Sequence, residues 1–197
     1  MAATDSFNST SRTLLARVQK LEPQAWERFV QLYGPLVYGW CLHANLNAAD
    51  AADVMQEVFT NAFTAINKFR HERPEDTLRG WLRVICRNKL HDFFRRRANH
   101  PQALGGTDAT MQLAEIREPT LDESSTHEDQ HSLVQRAARL VRGEFEDRTW
   151  QAFWLVVVEH RSAADAAAQL GMTSGSVRQA KYMVLRRLRA ELSDELE

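Results

Sequence analysis

Cysteine is scarce in this chain: there are two in 197 residues, Cys41 and Cys86, and both fall in apolar helical patterns. Thiols in such settings serve as small buried hydrophobes, not as a disulfide framework or a zinc site. The seven histidines are scattered without metal-ligand spacing. There is no glycine-rich Walker loop to cradle a phosphate, and no serine or cysteine stands in a nucleophile motif. Asp53 and Glu57 are one helical turn apart, with His91 and Asp92 similar in type, but carboxylates on an exposed amphipathic face are normally just solvated. The expectation is therefore a protein with no catalytic residues, no metal and no cofactor, and not an enzyme. Long apolar runs are also missing. Phe153–Val158 is six residues, against the roughly 20 that span a bilayer. The start, Met1–Phe7, lacks a basic segment followed by an apolar one, so no signal peptide is expected and the location expected is cytoplasmic. The net charge is only −1, which argues against a protein that coats nucleic acid indiscriminately but permits local basic patches.

One such patch is present. Between Arg79 and Arg97 stand seven Lys or Arg (positions 79, 83, 87, 89, 95, 96 and 97) against one acid, Asp92, a local net charge of +6. Trp81, Leu82, Ile85, Cys86, Leu90 and Phe93 cover an apolar arc of a helix starting at Gly80. Arg83, Arg87, His91 and Arg95 recur every four residues as a ridge beside it. A helix packed on one side and basic on the other suits a polyanion; a solvated basic face on an ordinary bundle helix is the plainer alternative.

Upstream, residues 1–10 are small and polar and read as disordered, and a short helix is expected over Arg12 to Lys20. Trp26, Phe29, Val30, Tyr33, Leu36, Val37 and Trp40 recur at spacings of three and four, the mark of a helix with one apolar face, which Gly34-Pro35 should kink. Asn47-Ala-Ala-Asp50 is a capping-box variant opening a helix to about Lys68. Its inner face is Met55, Val58, Phe59, Ala62, Phe63 and Ile66. Its outer face, Asp50, Asp53, Gln56, Glu57, Thr60, Asn61 and Thr64, is acidic and amide-rich and carries no Lys or Arg. A polar loop, Phe69–Thr77, leads to the basic helix.

Composition changes at Pro101. Residues 101–132 hold seven acids and one base, Arg117, and read as an extended acidic linker. Beyond it, Leu133, Ala137, Leu140 and Val141 mark one amphipathic helix. A second, capped by Asp147, carries Trp150, Phe153, Trp154 and Val157. Ser162-Ala-Ala-Asp165 opens a short third helix over Ala163–Leu170, which Gly171 ends, and a last one runs from about Ser174 to Leu192. Ala167, Gly171 and Val177 have the spacing of a helix-turn-helix. The last helix turns Val177, Ala180, Val184 and Leu188 inward and Gln179, Tyr182 and Arg186 outward. Positions 173–189 hold five bases and no acid. Such a helix suits the DNA major groove, with Gln pairing adenine, Arg pairing guanine and later bases reaching phosphates.

The expected fold is all-α: a tail and short helix over 1–23, a helical domain over 24–100, the acidic flexible linker over 101–132, and a four-helix unit with a helix-turn-helix over 133–197. The order of Asp53-Val-Met-Gln-Glu-Val-Phe59, Gly80-Trp-Leu-Arg-Val-Ile-Cys-Arg-Asn-Lys-Leu-His-Asp92 with its arginine tail, and a terminal helix-turn-helix ending in Leu185-Arg-Arg-Leu-Arg189 resembles a bacterial RNA polymerase sigma factor of the extracytoplasmic-function (ECF) type. The likeness covers about residues 24–97 and 133–192. Met183 departs from it, standing where an arginine is usual. The resemblance implies that Asp53, Gln56 and Glu57, with Asp50 and Thr60 beside them, dock on the clamp helices of the polymerase β′ subunit. It implies that Phe69, Arg70, Arg79, Asn88, His91, Asp92, Arg95 and Arg96 recognise and open the −10 element. It implies that Ser176, Arg178, Gln179, Tyr182, Arg186 and Arg187 read the −35 element. It also implies that the terminal domain meets the β flap, that the linker threads toward the active-site channel, and that an anti-sigma factor binds. The rival reading is a helix-turn-helix regulator whose N-terminal domain binds a different protein.

Overall fold

The structure is a computed structural model that describes residues 13–70, 72, 76–98 and 123–192. The tail through position 12 and the stretch 101–122 expected as linker lie outside the described residues. Among the described residues every regular element is helical: α1 Leu14–Gln19, α2 Pro23–His43, α3 Ala48–Ala65 with a 3₁₀ turn Ile66–Lys68, α4 Leu78–Ala98, α5 Glu123–Arg142, α6 Asp147–Val157, α7 Ala163–Leu170 and α8 Ser174–Leu192. Two compact units result among the described residues, one of residues 16–133, the other of residues 134–192 together with 13–15.

In the first unit α2, α3 and α4 pack against one another. Pro23 opens α2, where its missing N–H costs nothing, and the helix runs unbroken through Pro35. It ends at Asn45, whose φ of 62° is left-handed. There the Leu46 N–H reaches Cys41 O and the Asn45 N–H reaches Leu42 O, which satisfies the last carbonyls. Asn47 caps α3 as its sequence predicts, accepting from the N–H groups of Ala49 and Asp50 at 3.0 Å each. Phe29, Phe59, Tyr33 and Trp26 form a linked aromatic core, with Phe29 and Phe59 edge to face at 5.7 Å. Phe63, expected inside, is 43% exposed and lies on the rim with its ring edge-on to Trp26.

The buried positions of α4 are Leu78, Leu82, Cys86, Leu90 and Phe94. A strict four-residue repeat drifts about 40° per step around a helix of 3.6 residues per turn. The stripe therefore crosses α4 obliquely and meets both neighbours. This explains a difference from the expected arc: Phe94 continues the stripe and is buried, while Phe93 is half-buried.

The second unit holds the rest of α5, α6, α7 and α8, around Ala152, Leu155, Ala166, Ala167, Val177 and Ala180. Four of those six are alanines, which let α6, α7 and α8 approach closely. Glu146, not Asp147, precedes α6, and neither supplies a side-chain cap. Helix α5 begins at Glu123, nine residues before the expected end of the linker at 132. Charge explains the difference. Acids in the first half of a helix and Arg139 and Arg142 in its last turn complement the helix dipole, so acidity alone does not exclude helix here.

Candidate functional site

The outer side of α4 lies one residue, about 100°, from its buried stripe. Thr77 caps the helix, its Oγ1 accepting from the Gly80 N–H at 3.0 Å. Of the ridge, Arg83 and Arg87 are half-buried, and His91 and Arg95 are exposed, as is Asn88 between them. Asp92 pairs with Arg95 at 2.8 Å, which orients the guanidinium along the helix. Arg83 is engaged at the other end. Its guanidinium stacks 5.7 Å from the Trp40 ring centre. Asp129, at the start of α5, accepts from Trp40 Nε1 at 3.0 Å and stands 3.8 Å from Arg83. Neither Trp40 nor Asp129 is recognisable from the sequence, since they join only across 89 positions.

The loop before α4 is held from behind. Gln19 Nε2 donates to the carbonyls of Ile66 and Phe69. Phe69 is only 7% exposed, its ring 5.4 Å from that of Trp81. It therefore supports the loop and does not present a free face for a base, because its apolar surface is already spent on Trp81. Arg70 is exposed and braced by the carbonyls of Asn67 and Phe69. Arg79 is half-buried. Positions 71 and 73–75 of this loop lie outside the described residues.

The acidic face of α3 and the basic end of α4 prove to be in contact. Glu57 bridges Arg96 at 2.9 Å and Lys89 at 3.6 Å. Asp50 takes Arg97 at 3.5 Å. Arg96 is therefore partly neutralised within the fold. On α3 what remains for a partner is Asp53, exposed and without an ion pair among the described residues, flanked by exposed Gln56 and Thr60. The side chain of Thr60 returns its hydrogen bond to Gln56 O.

In the second unit the turn between α7 and α8 is built as its sequence predicts. Ser162 Oγ accepts from the Asp165 N–H at 3.1 Å. Gly171 takes φ 60° and ψ 41°, which an L side chain resists. Thr173 Oγ1 accepts from the Ser176 N–H at 3.1 Å and opens α8. The sequence does not reveal the brace on this turn. Arg148 of α6 donates to the carbonyls of Leu170 and Gly171, satisfying the end of α7. Arg148→Ala should therefore destabilise this unit by about 1.5 kcal/mol, the low end for bonds to a charged group because the site is exposed. Thermal unfolding read on the second unit checks this, and an unchanged midpoint would mean that water replaces the guanidinium without loss.

Along α8, Ser176, Arg178, Gln179, Lys181, Tyr182, Arg186 and Arg189 are all exposed, and Tyr182 is 61% so. Met183 is half-buried. Arg178, Lys181, Arg186 and Arg189 carry no ion pair among the described residues, unlike the end of α4. Arg187 differs from the other candidates. It donates Nε and Nη2 to the two oxygens of Glu144 at 2.6 and 2.9 Å and Nη1 to Glu191 at 2.6 Å. Burial opposes its charge, but the bonds and charges of Glu144 and Glu191 outweigh that and hold its pKa above the ordinary value. Arg187 thus faces the protein, because 184, 188 and 191 are the inner positions of this helix and 187 lies between them.

Residues 29–100, the span from α2 through the end of α4, match the family Sigma-70 region 2. The chain contains a sigma-70 region 2 domain. Such a domain carries a sigma factor's role of binding RNA polymerase and recognising promoter DNA, and the match supports a factor of the sigma-70 family. No curated protein matches the chain. The helices that bear the acidic face and the basic ridge, α3 and α4, both lie inside the region 2 domain, while α5 through α8 lie beyond it. No described helix is long and apolar enough to cross a membrane.

Proposed function

We propose that this protein is a two-domain sigma factor of the ECF type that recruits core RNA polymerase and directs it to a promoter with separate −10 and −35 elements. In this reading the exposed part of α3 around Asp53, Gln56 and Thr60 docks on the β′ clamp helices. Arg70, Arg79 and the α4 face of Asn88, His91, Asp92 and Arg95 serve the −10 element. The second unit meets the β flap and presents α8 to the −35 element through Ser176, Arg178, Gln179 and Tyr182, with Arg186 on phosphate. Arg187 leaves the DNA set for the ion pairs that hold it, and Phe69 leaves it for the loop support.

The observation that carries the proposal is the pairing of a region 2 domain with a downstream pair of helices, α7 and α8, joined by a short turn, the second of which exposes four bases without an ion pair among the described residues. Transcription from a library of promoter fragments by core polymerase plus this protein tests it. Sequence-specific initiation is the expected result, and specific DNA binding without initiation would make the protein a regulator instead. The division of work along α8 gives a finer test. Residues near the start of a recognition helix reach base edges, and later ones reach phosphates. Arg178→Ala or Gln179→Ala should cost about 1–3 kcal/mol on the preferred upstream element and much less on a scrambled one. Arg186→Ala should weaken both alike and reduce the salt slope by about one unit. Holoenzyme binding to both duplexes over a salt series reads this, and indifference of the Arg178 and Gln179 variants to sequence would remove α8 as the reader.

A further inference from the structure

The two cysteines, 45 positions apart in the chain, meet in the region 2 domain. Cys41 Sγ lies 3.9 Å from Cys86 Sγ, within hydrogen-bonding range of a thiol. Cys41 is in the last turn of α2 and Cys86 in the middle of the buried stripe of α4. Their exposures are 0% and 1%, and among the described residues neither sulfur has another hydrogen-bond partner. A disulfide needs its sulfurs about 2.05 Å apart, so closure asks them to approach by roughly 1.9 Å. The end of α2 is where that adjustment is easiest. There the helix hands over to a left-handed Asn45, and Cys41 O is held only by the Leu46 N–H at a long 3.3 Å.

We propose that Cys41 and Cys86 form a dithiol modification site, closed to an intrachain disulfide by a hydroperoxide small enough to enter the core of the region 2 domain. The pair is chemically asymmetric. The hydrogen-bonding contact with Cys86 lowers the pKa of Cys41 against the opposing effect of burial. The same bond, with burial, pushes Cys86 up. Cys41, in the last turn of α2 where local opening is easiest, is the attacking sulfur, and Cys86, in the middle of α4, the thiol that follows. The Cys41 thiolate attacks one peroxide oxygen and the O–O bond breaks. A sulfenic acid forms on Cys41, and the hydroxide released combines with the proton that the Cys41 thiol gave up on becoming a thiolate and leaves as water. Cys86 Sγ then attacks Cys41 Sγ. The S–S bond forms, the S–O bond breaks, and the second hydroxide departs as water with the proton of Cys86. The two sulfurs together lose two electrons, which the peroxide gains.

Burial shapes the outcome in two ways. Entry waits on local opening, so the reaction runs slower than on an exposed thiol. Bulky disulfides and a second chain are excluded, so the product is the bond within one chain and not a dimer. In the oxidised form α2 is tied covalently to the helix that carries Asn88, His91 and Arg95. The modification site itself does not depend on the function proposed above.

The test uses the reduced, full-length protein treated with hydrogen peroxide, then denatured and alkylated. The expected result is a fall in alkylatable thiols from two to none and a mass loss of two hydrogens. A Cys41–Cys86 cross-linked peptide should appear, reversed by dithiothreitol, while the helical circular dichroism signal persists throughout. Cys41→Ser should stop the chemistry, and Cys86→Ser should leave a sulfenic acid that dimedone traps. Three results would overturn the proposal: two thiols still alkylated under conditions that oxidise free cysteine completely; sulfinic acid on one cysteine with the other alkylated; or a disulfide that forms only once urea has unfolded the chain. The wild-type measurement decides these without relying on the variants.

Discussion

Asp53→Arg is expected to weaken association with core RNA polymerase by about 10²–10³-fold, since placing like charges across an interface costs several kcal/mol and each 1.4 kcal/mol is a decade. Asp53 is the position to change because of what surrounds it. Asp50 and Glu57, one turn to either side, are already engaged with Arg97 and with Arg96 and Lys89. Reversing Glu57 would set a third base beside Arg96 and Lys89, so a loss of binding there would mix repulsion inside the fold with repulsion at the interface. Asp53 is exposed and, among the described residues, breaks no ion pair when replaced. Arginine is also a better helix former than aspartate, and the stability of the variant should stay within about 0.5 kcal/mol of wild type. Fluorescence anisotropy of the labelled protein titrated with core enzyme measures the affinity, and unfolding by circular dichroism confirms the unchanged fold. An affinity equal to wild type would move the docking surface off this face of α3.

The second large effect concerns Arg187. Removing it should destabilise the second unit by about 3 kcal/mol, the low end for breaking a buried pair because Arg187 is itself partly exposed. Glu191 is 2% exposed, and Arg187→Ala takes away the guanidinium that faces it at 2.6 Å. The same change removes the two-pronged grip on Glu144, which joins the end of α5 to the last turns of α8. In a unit of this size the midpoint should fall by more than about 10 °C. Arg187→Lys keeps the charge but not the fork, and should recover only part of the loss. Below its midpoint, Arg187→Ala should leave the salt dependence of DNA binding unchanged, where Arg186→Ala reduces it. A reduced salt slope with unchanged stability would return Arg187 to the phosphate-contacting set.

Much of the fold was legible in the sequence because its signals are local. Asn47 and Ser162 sit where a side-chain oxygen meets orphan N–H groups, Gly171 sits where only φ near 60° continues the chain, and the apolar spacings of α2, α3 and α8 follow the helical period. These features need no knowledge of neighbours, so the all-helical class, the turn between α7 and α8 and the outward set on α8 follow from residue order. The ridge of α4 was visible too, because basic positions repeating every four residues must share a face.

The remaining features depend on which helices meet. Whether Arg187 touches DNA or Glu144, whether Arg96 is free or clipped to Glu57, and whether Phe69 faces solvent or Trp81 are decided by partners 43, 39 and 12 positions away. One-dimensional periodicity assigns a residue to a side of its helix but not to the group waiting there. The same holds for Asp129: the acidity of its stretch reads as linker, yet one carboxylate from it docks on Trp40 and Arg83. The cysteines make the contrast sharpest. Their burial was evident from the apolar pattern around each, but their 3.9 Å separation arises only when α2 and α4 pack. Burial is a property of one residue's surroundings, while reactivity between two groups depends on a distance that the tertiary structure alone sets.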